Sequence, residues 1–218
     1  MLNPWLNYKF ENSTVHNEDL DLINQFNSKA KTDFQYSDVL LPDPYIGSLN
    51  SRLMLLALNP GLSESDFDVH KNTNYIEHHW KNINQTELDY PFYYLNPKLD
   101  CPGTDWWHNK LKWIIQDLNL KNVANNICCL QLTPYHSVRF KRNPKQLHTQ
   151  SFIAHTLKEH IKKGYPIVIM RSKKLWVELV PELGTYQNAF LLRNPRNPTL
   201  SPNNIGDENY LKLLEILG

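Results

Sequence analysis

Four short runs of apolar residues lie along the chain, separated by longer amphipathic stretches. The first run, Leu53 to Leu58, has six apolar residues in succession and no alternation with polar ones. The other three are Ile127 to Leu132, Ile167 to Met170 and Ala189 to Leu192. Short runs of this kind are typical of strands that are buried on both faces, as they are in parallel sheets. The pattern therefore predicts four short parallel strands.

Around these runs, apolar residues recur at the three- and four-residue spacing of amphipathic helices. One such stripe, with Leu20, Ile23 and Phe26, precedes the first strand. Further helices are predicted over 107–118, over 143–163, just before Pro181 and at the C-terminal end of the chain. Strands that alternate with helices predict an α/β fold, with a four-stranded parallel sheet sandwiched between helical layers.

The length of 218 residues suits one domain, and we predict a single domain over 1–218. Residues 1–50 are expected to form a helical cover over the sheet. Residues 65–105 form an insertion rich in aromatic side chains and histidines, and long connections of this kind are often binding loops or lids. The histidines there lack the spacing of a zinc site, so we expect no metal.

Positive charge is concentrated in the second half of the chain. Residues 1–100 hold 7 basic and 14 acidic side chains, whereas 101–218 hold 16 and 8. Because parallel strands share one carboxyl edge, the loops after all four strands meet there, and three of these loops are basic. We predict that this edge contacts DNA phosphates. The residues predicted to do so are Arg139, Arg142, Arg171, Ser172, Lys173, Lys174 and Arg196.

Two loops at this edge resemble motifs of a known family. The stretch Ala-Leu-Asn-Pro-Gly-Leu at 57–62 resembles the first motif of the uracil-DNA glycosylase superfamily, and is closest to the mismatch-specific and single-strand-selective branches. The stretch Leu-Arg-Asn-Pro-Arg-Asn-Pro at 192–198 is similar to the second motif of the single-strand-selective branch, H-P-S-P-R-N-P. The resemblance covers about 52–206. It implies the same α/β architecture and a monofunctional glycosylase that leaves an abasic site in DNA.

The resemblance also implies roles for particular residues. Asn59 is the position that orients the attacking water in these branches. Asn194 and Asn197 of the second motif are the candidates for holding the departing base. Two alignments of the second motif are possible. Alignment on Pro-Arg-Asn-Pro at 195–198 puts Leu192 in the place of the family's histidine, whereas alignment on Asn-Pro puts Asn194 there. If it is Leu192, His136 is the candidate to stabilise the base anion.

Base recognition is expected at the end of the second strand. Gln131 or His136 is predicted to read the edge of a pyrimidine, and Phe92 or Tyr93 to stack on its ring. Pro60 and Gly61 complete the base-binding turn. The aromatic insertion and Ala57, which replaces the first glycine of the motif, favour a modified or enlarged base, for example a glucosylated base of phage DNA.

Other function classes stay open at this point. One is a DNA-binding protein with a glycosylase fold and no turnover, and another is a hydrolase of free nucleosides. We expect no cofactor, because the three cysteines cannot supply the four ligands of the iron-sulfur glycosylases. No apolar run approaches the length of a membrane span and no signal peptide is recognisable, so a cytoplasmic monomer is expected.

Overall fold

The computed structural model describes residues 1–218 and has an α/β fold. Five strands form one sheet: β1 (Tyr45–Ile46), β2 (Leu53–Ala57), β3 (Ile127–Gln131), β4 (Ile167–Ile169) and β5 (Ala189–Leu191). Nine helices surround it: α1 (Asn17–Asn27), α2 (Asp66–Val69), α3 (Thr73–Ile83), α4 (Pro102–Leu118), α5 (Leu120–Asn126), α6 (Gln150–Lys162), α7 (Lys173–Leu179), α8 (Pro202–Ile205) and α9 (Asp207–Leu217). Three short 3-10 helices lie at Thr32–Phe34, Tyr93–Leu95 and Pro181–Gly184.

The strand order across the sheet is β1-β3-β2-β4-β5. Strands β3, β2, β4 and β5 are parallel, and they correspond to the four predicted strands. The prediction of a purely parallel, four-stranded sheet is wrong, because β1 adds a fifth strand that runs antiparallel to β3. Only two residues, Tyr45 and Ile46, fit between Pro44 and Gly47, so this strand is too short to leave a periodic pattern in the sequence.

Strands β2, β3 and β4 are buried on both faces, as the apolar runs predict, whereas Leu191 of the edge strand β5 is exposed. In β2, Leu53 and Leu55 pack on one face, while Met54 and Leu56 pack on the other. The first face is covered by α4, α5 and α9, and the second by α1, α6 and α7. Cys128 and Cys129 point to opposite faces and are free, buried thiols.

Two segments differ from the prediction. The insertion at 65–105 is not a long loop, because it holds α2 and α3 and a 3-10 helix. The helix predicted to start at Asn143-Pro144 starts at Gln150 instead. The preceding residues follow an irregular path in which Asn143 donates a hydrogen bond to the backbone of Leu22, so this loop is held against the N-terminal helix.

None of the helices has the length and apolar character needed to cross a membrane.

Candidate functional site

A cleft of about 470 Å³ lies at the carboxyl edge of the parallel strands. Its walls include the residues that follow β2, β3 and β4, namely Asn59, His136 and Arg171. The opposite wall comes from the aromatic insertion and the start of α4, with Tyr94, Trp106 and Trp107. Ligands bind at this edge in open α/β sheets, because the loops converge there and leave a crevice. The cleft is therefore the candidate site.

Asn59 is held at the end of β2 by its amide nitrogen. The Nδ2 group donates hydrogen bonds to the Pro60 carbonyl at 2.8 Å, to Ser137 Oγ at 2.9 Å and to the Tyr135 carbonyl at 3.4 Å. Because these contacts fix which end of the amide is the donor, Oδ1 is defined as the acceptor, and it makes no hydrogen bond within the protein. The side chain thus presents a single oriented acceptor at the cleft.

The turn after β2 is joined to the loop after β3. Ser137 donates its backbone N–H to the Pro60 carbonyl at 3.3 Å, and Gly61 and Ser137 form an isolated parallel bridge. This contact continues the pairing of β2 with β3 beyond the ends of the strands. Pro60 and Gly61, both predicted to bind the base, line the cleft.

Gln131 ends β3 and lines the same cleft. Its side chain is 4% exposed, and Oε1 is fully buried without a hydrogen-bond partner. The side-chain nitrogen also makes no hydrogen bond within the protein. Because neither end of this amide is bonded within the protein, Gln131 has a donor and an acceptor free for a ligand of the cleft.

A buried carboxylate, Asp43, lies where the sequence analysis identified no functional residue. Its Oδ1 accepts a hydrogen bond from Tyr93 at 3.0 Å and lies 3.3 Å from His79 Nδ1. Its Oδ2 accepts from Tyr94 at 3.4 Å and lies 3.8 Å from His136 Nε2. Burial alone would raise the pKa of Asp43, but the contacts with His79 at 3.3 Å and with His136 at 3.8 Å outweigh burial and lower it. The carboxylate is therefore ionised and acts only as an acceptor.

A directed chain of hydrogen bonds leads from His70 to this carboxylate. Leu41 donates its N–H to His70 Nδ1 at 2.9 Å, so His70 is neutral and carries its proton on Nε2. That nitrogen contacts the Tyr75 hydroxyl at 3.3 Å, and Tyr75 contacts the Tyr94 hydroxyl at 3.2 Å. Burial lowers the pKa of His70 to about 3. The chain ends on Asp43 and so fixes the orientation of Tyr94 at the cleft.

His136 lines the cleft, but both of its ring nitrogens face backbone carbonyls. Nδ1 lies 2.6 Å from the Gly61 oxygen, and Nε2 lies 3.1 Å from the Leu41 oxygen. Carbonyl oxygens only accept, so each ring nitrogen that carries a hydrogen donates it to one of these backbone groups. His136 thus lies between the turn at Gly61 and the segment before β1, which makes it a positioning residue in this conformation.

The second motif lies mostly outside the cleft. Asn194 Oδ1 accepts the backbone N–H groups of Arg196 and Asn197, at 3.2 and 3.3 Å, and so closes the loop on itself. Asn197 Oδ1 accepts from Lys110 Nζ at 2.7 Å. Of this stretch only Pro198 lines the cleft, and Leu192 is buried in the core. Asn194, Asn197 and Arg196 therefore do not meet Asn59 in this conformation.

The aromatic surface of the cleft is not the one predicted. Phe92 and Tyr93 are fully buried and do not line the cleft, because Phe92 packs edge-on against Trp107 and Tyr93 is bonded to Asp43. Tyr94 and Trp106 line it instead, and Trp106 is 40% exposed. The sequence at 92–94 has three consecutive aromatic residues, and it does not indicate which ring faces the cleft. The direction of each ring depends on the 3-10 helix that forms at 93–95.

The predicted phosphate-binding residues fall into two groups. Arg139 and Arg142 pair with Asp33 and Glu178, so their charges are partly compensated. Arg171, Lys173, Lys174 and Arg196 are exposed and form no salt bridge with an acidic side chain. Arg171 also lines the cleft, and Ser172 adopts a left-handed backbone conformation with φ of 54° between β4 and α7.

The fold and this cleft define an α/β protein with a candidate site at the carboxyl edge of its sheet. Comparison of the chain with protein-family models, with curated proteins and with solved structures finds no match.

Proposed function

We propose that the protein is a DNA glycosylase, which hydrolyses the N-glycosidic bond of a flipped base and leaves an abasic site. The observation that carries this proposal is Asn59, whose Oδ1 is an oriented, unused acceptor at the cleft. Hydrolysis of this bond needs a positioned water and a place for the departing base, and it needs no covalent nucleophile. The resemblance of 57–62 to the first glycosylase motif agrees with this role.

The amide of Asn59 orients water and does not take its proton, because an amide is not a basic group. The reaction therefore depends on a good leaving group, and thus on stabilisation of the departing base by the cleft. Gln131 offers its amide to the edge of the base, and Tyr94 and Trp106 offer ring surface beside it. Aromatic faces of this kind also suit a sugar attached to the base, so a glucosylated base of phage DNA fits the proposal.

The change Asn59→Ala tests the proposal. We expect it to reduce base release by about 100-fold or more, because the water loses its orienting group, while DNA affinity changes little. Oligonucleotides with uracil, cytosine, hydroxymethylcytosine or glucosylated hydroxymethylcytosine are incubated with each protein. Base release is measured by mass spectrometry, and abasic sites by alkaline cleavage.

Asn188→Ala is the matched control, since it removes an exposed amide that does not line the cleft and is expected to leave base release unchanged. If the wild-type protein leaves every substrate intact, the proposed reaction is wrong. If the wild type releases a base and the Asn59 variant is equally active, the proposed role of Asn59 is wrong.

A second candidate function is a DNA-binding protein that does not turn over its ligand. The second-motif loop favours it, because Asn194 and Asn197 are engaged in hydrogen bonds away from Asn59. A binder of this kind would hold DNA with the same affinity before and after Asn59→Ala and release no base. A hydrolase of free nucleosides would act on monomers and gain nothing from a polymeric substrate.

A further inference from the structure

A second concave surface lies between α1 and the loop that follows β3. It is a groove of about 330 Å³, and its lining includes four basic side chains and no acidic one. The basic residues are Lys29, Lys141, Arg142 and Lys145. Arg142 pairs with Glu178, but the three lysines are exposed and form no salt bridge. The groove therefore carries positive charge that no acidic side chain compensates.

The loop side of the groove is held by hydrogen bonds to the N-terminal region. The Tyr36 hydroxyl donates to the Lys141 carbonyl at 2.7 Å. Asn143, which is buried, donates its side-chain N–H to the Leu22 carbonyl at 3.2 Å. Because both contacts join the loop to residues far away in the sequence, the backbone that carries the basic side chains is fixed before any ligand arrives.

The three ammonium groups themselves remain available. Those of Lys29 and Lys141 make no hydrogen bond within the protein, and that of Lys145 contacts only the neutral amide oxygen of Gln25, at 3.3 Å. Lysine binds phosphate as a point charge with three donors, so each of these groups can contact one phosphate of a ligand.

The groove is joined to the cleft by a single stretch of chain. Val138 and Phe140 line the cleft, and 141–145 line the groove. The five residues from Phe140 to Lys145 span at most about 18 Å. Phosphates of one DNA strand recur about every 3.4 Å along the duplex, so a strand with its flipped base in the cleft has phosphates within about five nucleotides that can reach the groove.

We propose that this groove binds the phosphate backbone of the DNA that flanks the flipped base, through Lys29, Lys141 and Lys145. The inference deepens the proposed function and rests on it for the choice of DNA as the partner. These three residues, the groove lysines, are distinct from the predicted contacts after β4, none of which lines the groove. Because phosphate contacts carry no sequence information, the groove adds affinity and orientation and leaves base selection to the cleft.

Lysine acetylation of the wild-type protein tests the contact without any variant. The protein is labelled alone, with a DNA duplex, and with adenosine monophosphate at the same phosphate concentration, and each lysine is followed by mass spectrometry. We expect DNA to reduce labelling of the groove lysines in proportion to the bound fraction. The control lysines are exposed, form no salt bridge and lie outside the cleft and the groove, and they should be labelled equally with and without DNA: Lys98, Lys163 and Lys212.

Alanine changes at all three groove lysines test the contact by its dependence on salt. We expect the slope of log K against log salt for DNA binding to fall by about 0.7–0.9 for each lost phosphate contact. Alanine changes at the three control lysines remove the same charge and should leave the slope unchanged. Arginine changes at the groove lysines keep the charge and should also preserve the slope. Thermal unfolding of each variant shows whether the fold persists, and the labelling of the wild type does not depend on it.

Equal slopes for the two alanine variants overturn the inference, whether or not a base is released. Protection that includes the control lysines equally, or protection by adenosine monophosphate as strong as that by DNA, also overturns it. Release of a base from DNA without protection of the groove lysines would overturn the inference while supporting the glycosylase proposal. Selective protection and a lowered slope without release of any base would support the inference and contradict the glycosylase proposal.

Discussion

At the scale of single residues, the geometry of the cleft depends on hydrogen bonds that hold its polar side chains in one orientation. Asn59 is oriented because three oxygens accept from its nitrogen. His136 is directed at two carbonyls, and this fastens the turn at Gly61 to the segment before β1. Two of the three partners of Asn59, Tyr135 and Ser137, are distant in sequence, which is why a motif alone identifies Asn59 but not its environment.

The two glycines of the cleft give a residue-scale prediction, because they differ in the space around them. A Cβ at Gly103 would lie 2.3 Å from Tyr94 Cε1, whereas a Cβ at Gly61 would meet nothing within 4 Å. Tyr94 cannot move freely, since it is buried and bonded to Asp43 and Tyr75. We expect Gly103→Ala to lower the free energy of unfolding by about 1–3 kcal/mol, as overpacking does.

Gly61→Ala is the control and is expected to change the free energy of unfolding by no more than about 0.5 kcal/mol. Urea denaturation of both variants measures the difference. Equal stabilities would mean that Tyr94 is not fixed in the position described.

At the scale of elements, the aromatic insertion is attached to the sheet through polar contacts. Asp43, just before β1, meets His79 of α3 and the tyrosines of the 3-10 helix at 93–95. His70, between α2 and α3, is bonded to Leu41 and Tyr75. These contacts depend on an ionised Asp43 and a neutral His70. Protonation of either group would therefore weaken the contacts between the insertion and the sheet.

We therefore predict that the protein loses stability in acid. The pKa of His70 falls from 6.5 to about 3 on folding, so the unfolded chain binds more protons between these values. The lowered pKa of Asp43 acts in the same direction, because protonation of the unfolded carboxylate also favours unfolding. The part due to His70 is fully present above pH 6.5 and is lost as the pH falls toward 3, by up to about 1.4 kcal/mol per pH unit.

Urea denaturation between pH 7.5 and 4.5 measures this loss. In His70→Gln an amide oxygen can accept from Leu41 and does not titrate, so the dependence on pH should be weaker. An equally steep dependence in this variant would contradict the role of His70.

At the scale of the whole molecule, the opposite charges of the two halves meet at the cleft. The acidic half supplies Asp43 and Tyr94, and the basic half supplies Arg171, Trp106 and Trp107. Arg139 and Arg142 already have acidic partners. Of the other predicted phosphate contacts, Arg171, Lys173 and Lys174 follow β4 together at the edge of the sheet, whereas Arg196 is exposed outside the cleft.

We predict that the three residues after β4 contribute to the salt dependence of DNA binding. Changing Arg171, Lys173 and Lys174 to alanine should weaken binding to all sequences alike and reduce the slope of log K against log salt by about 0.7–0.9 for each lost contact. The control changes Lys158, Lys162 and Lys163 of the α6 region, which alters the net charge equally. Affinities measured by fluorescence anisotropy at several salt concentrations give the slopes, and equal slopes for both triple variants would show that the edge contacts no phosphate.

The apolar runs of the sequence determined the four parallel strands by themselves, because a strand buried on both faces needs apolar side chains at every position. They also determined which loops share the carboxyl edge, and so brought Asn59, Gln131 and His136 to one place.

Only the tertiary structure decided the rest. The strand β1 is too short to have a pattern, and Asp43 has no motif, so its role depends on His79, Tyr93 and His136, which lie 36 to 93 positions away in the sequence. Backbone turns and long-range hydrogen bonds decide which aromatic ring faces the cleft and where the amides of the second motif point. Local sequence patterns do not encode these contacts.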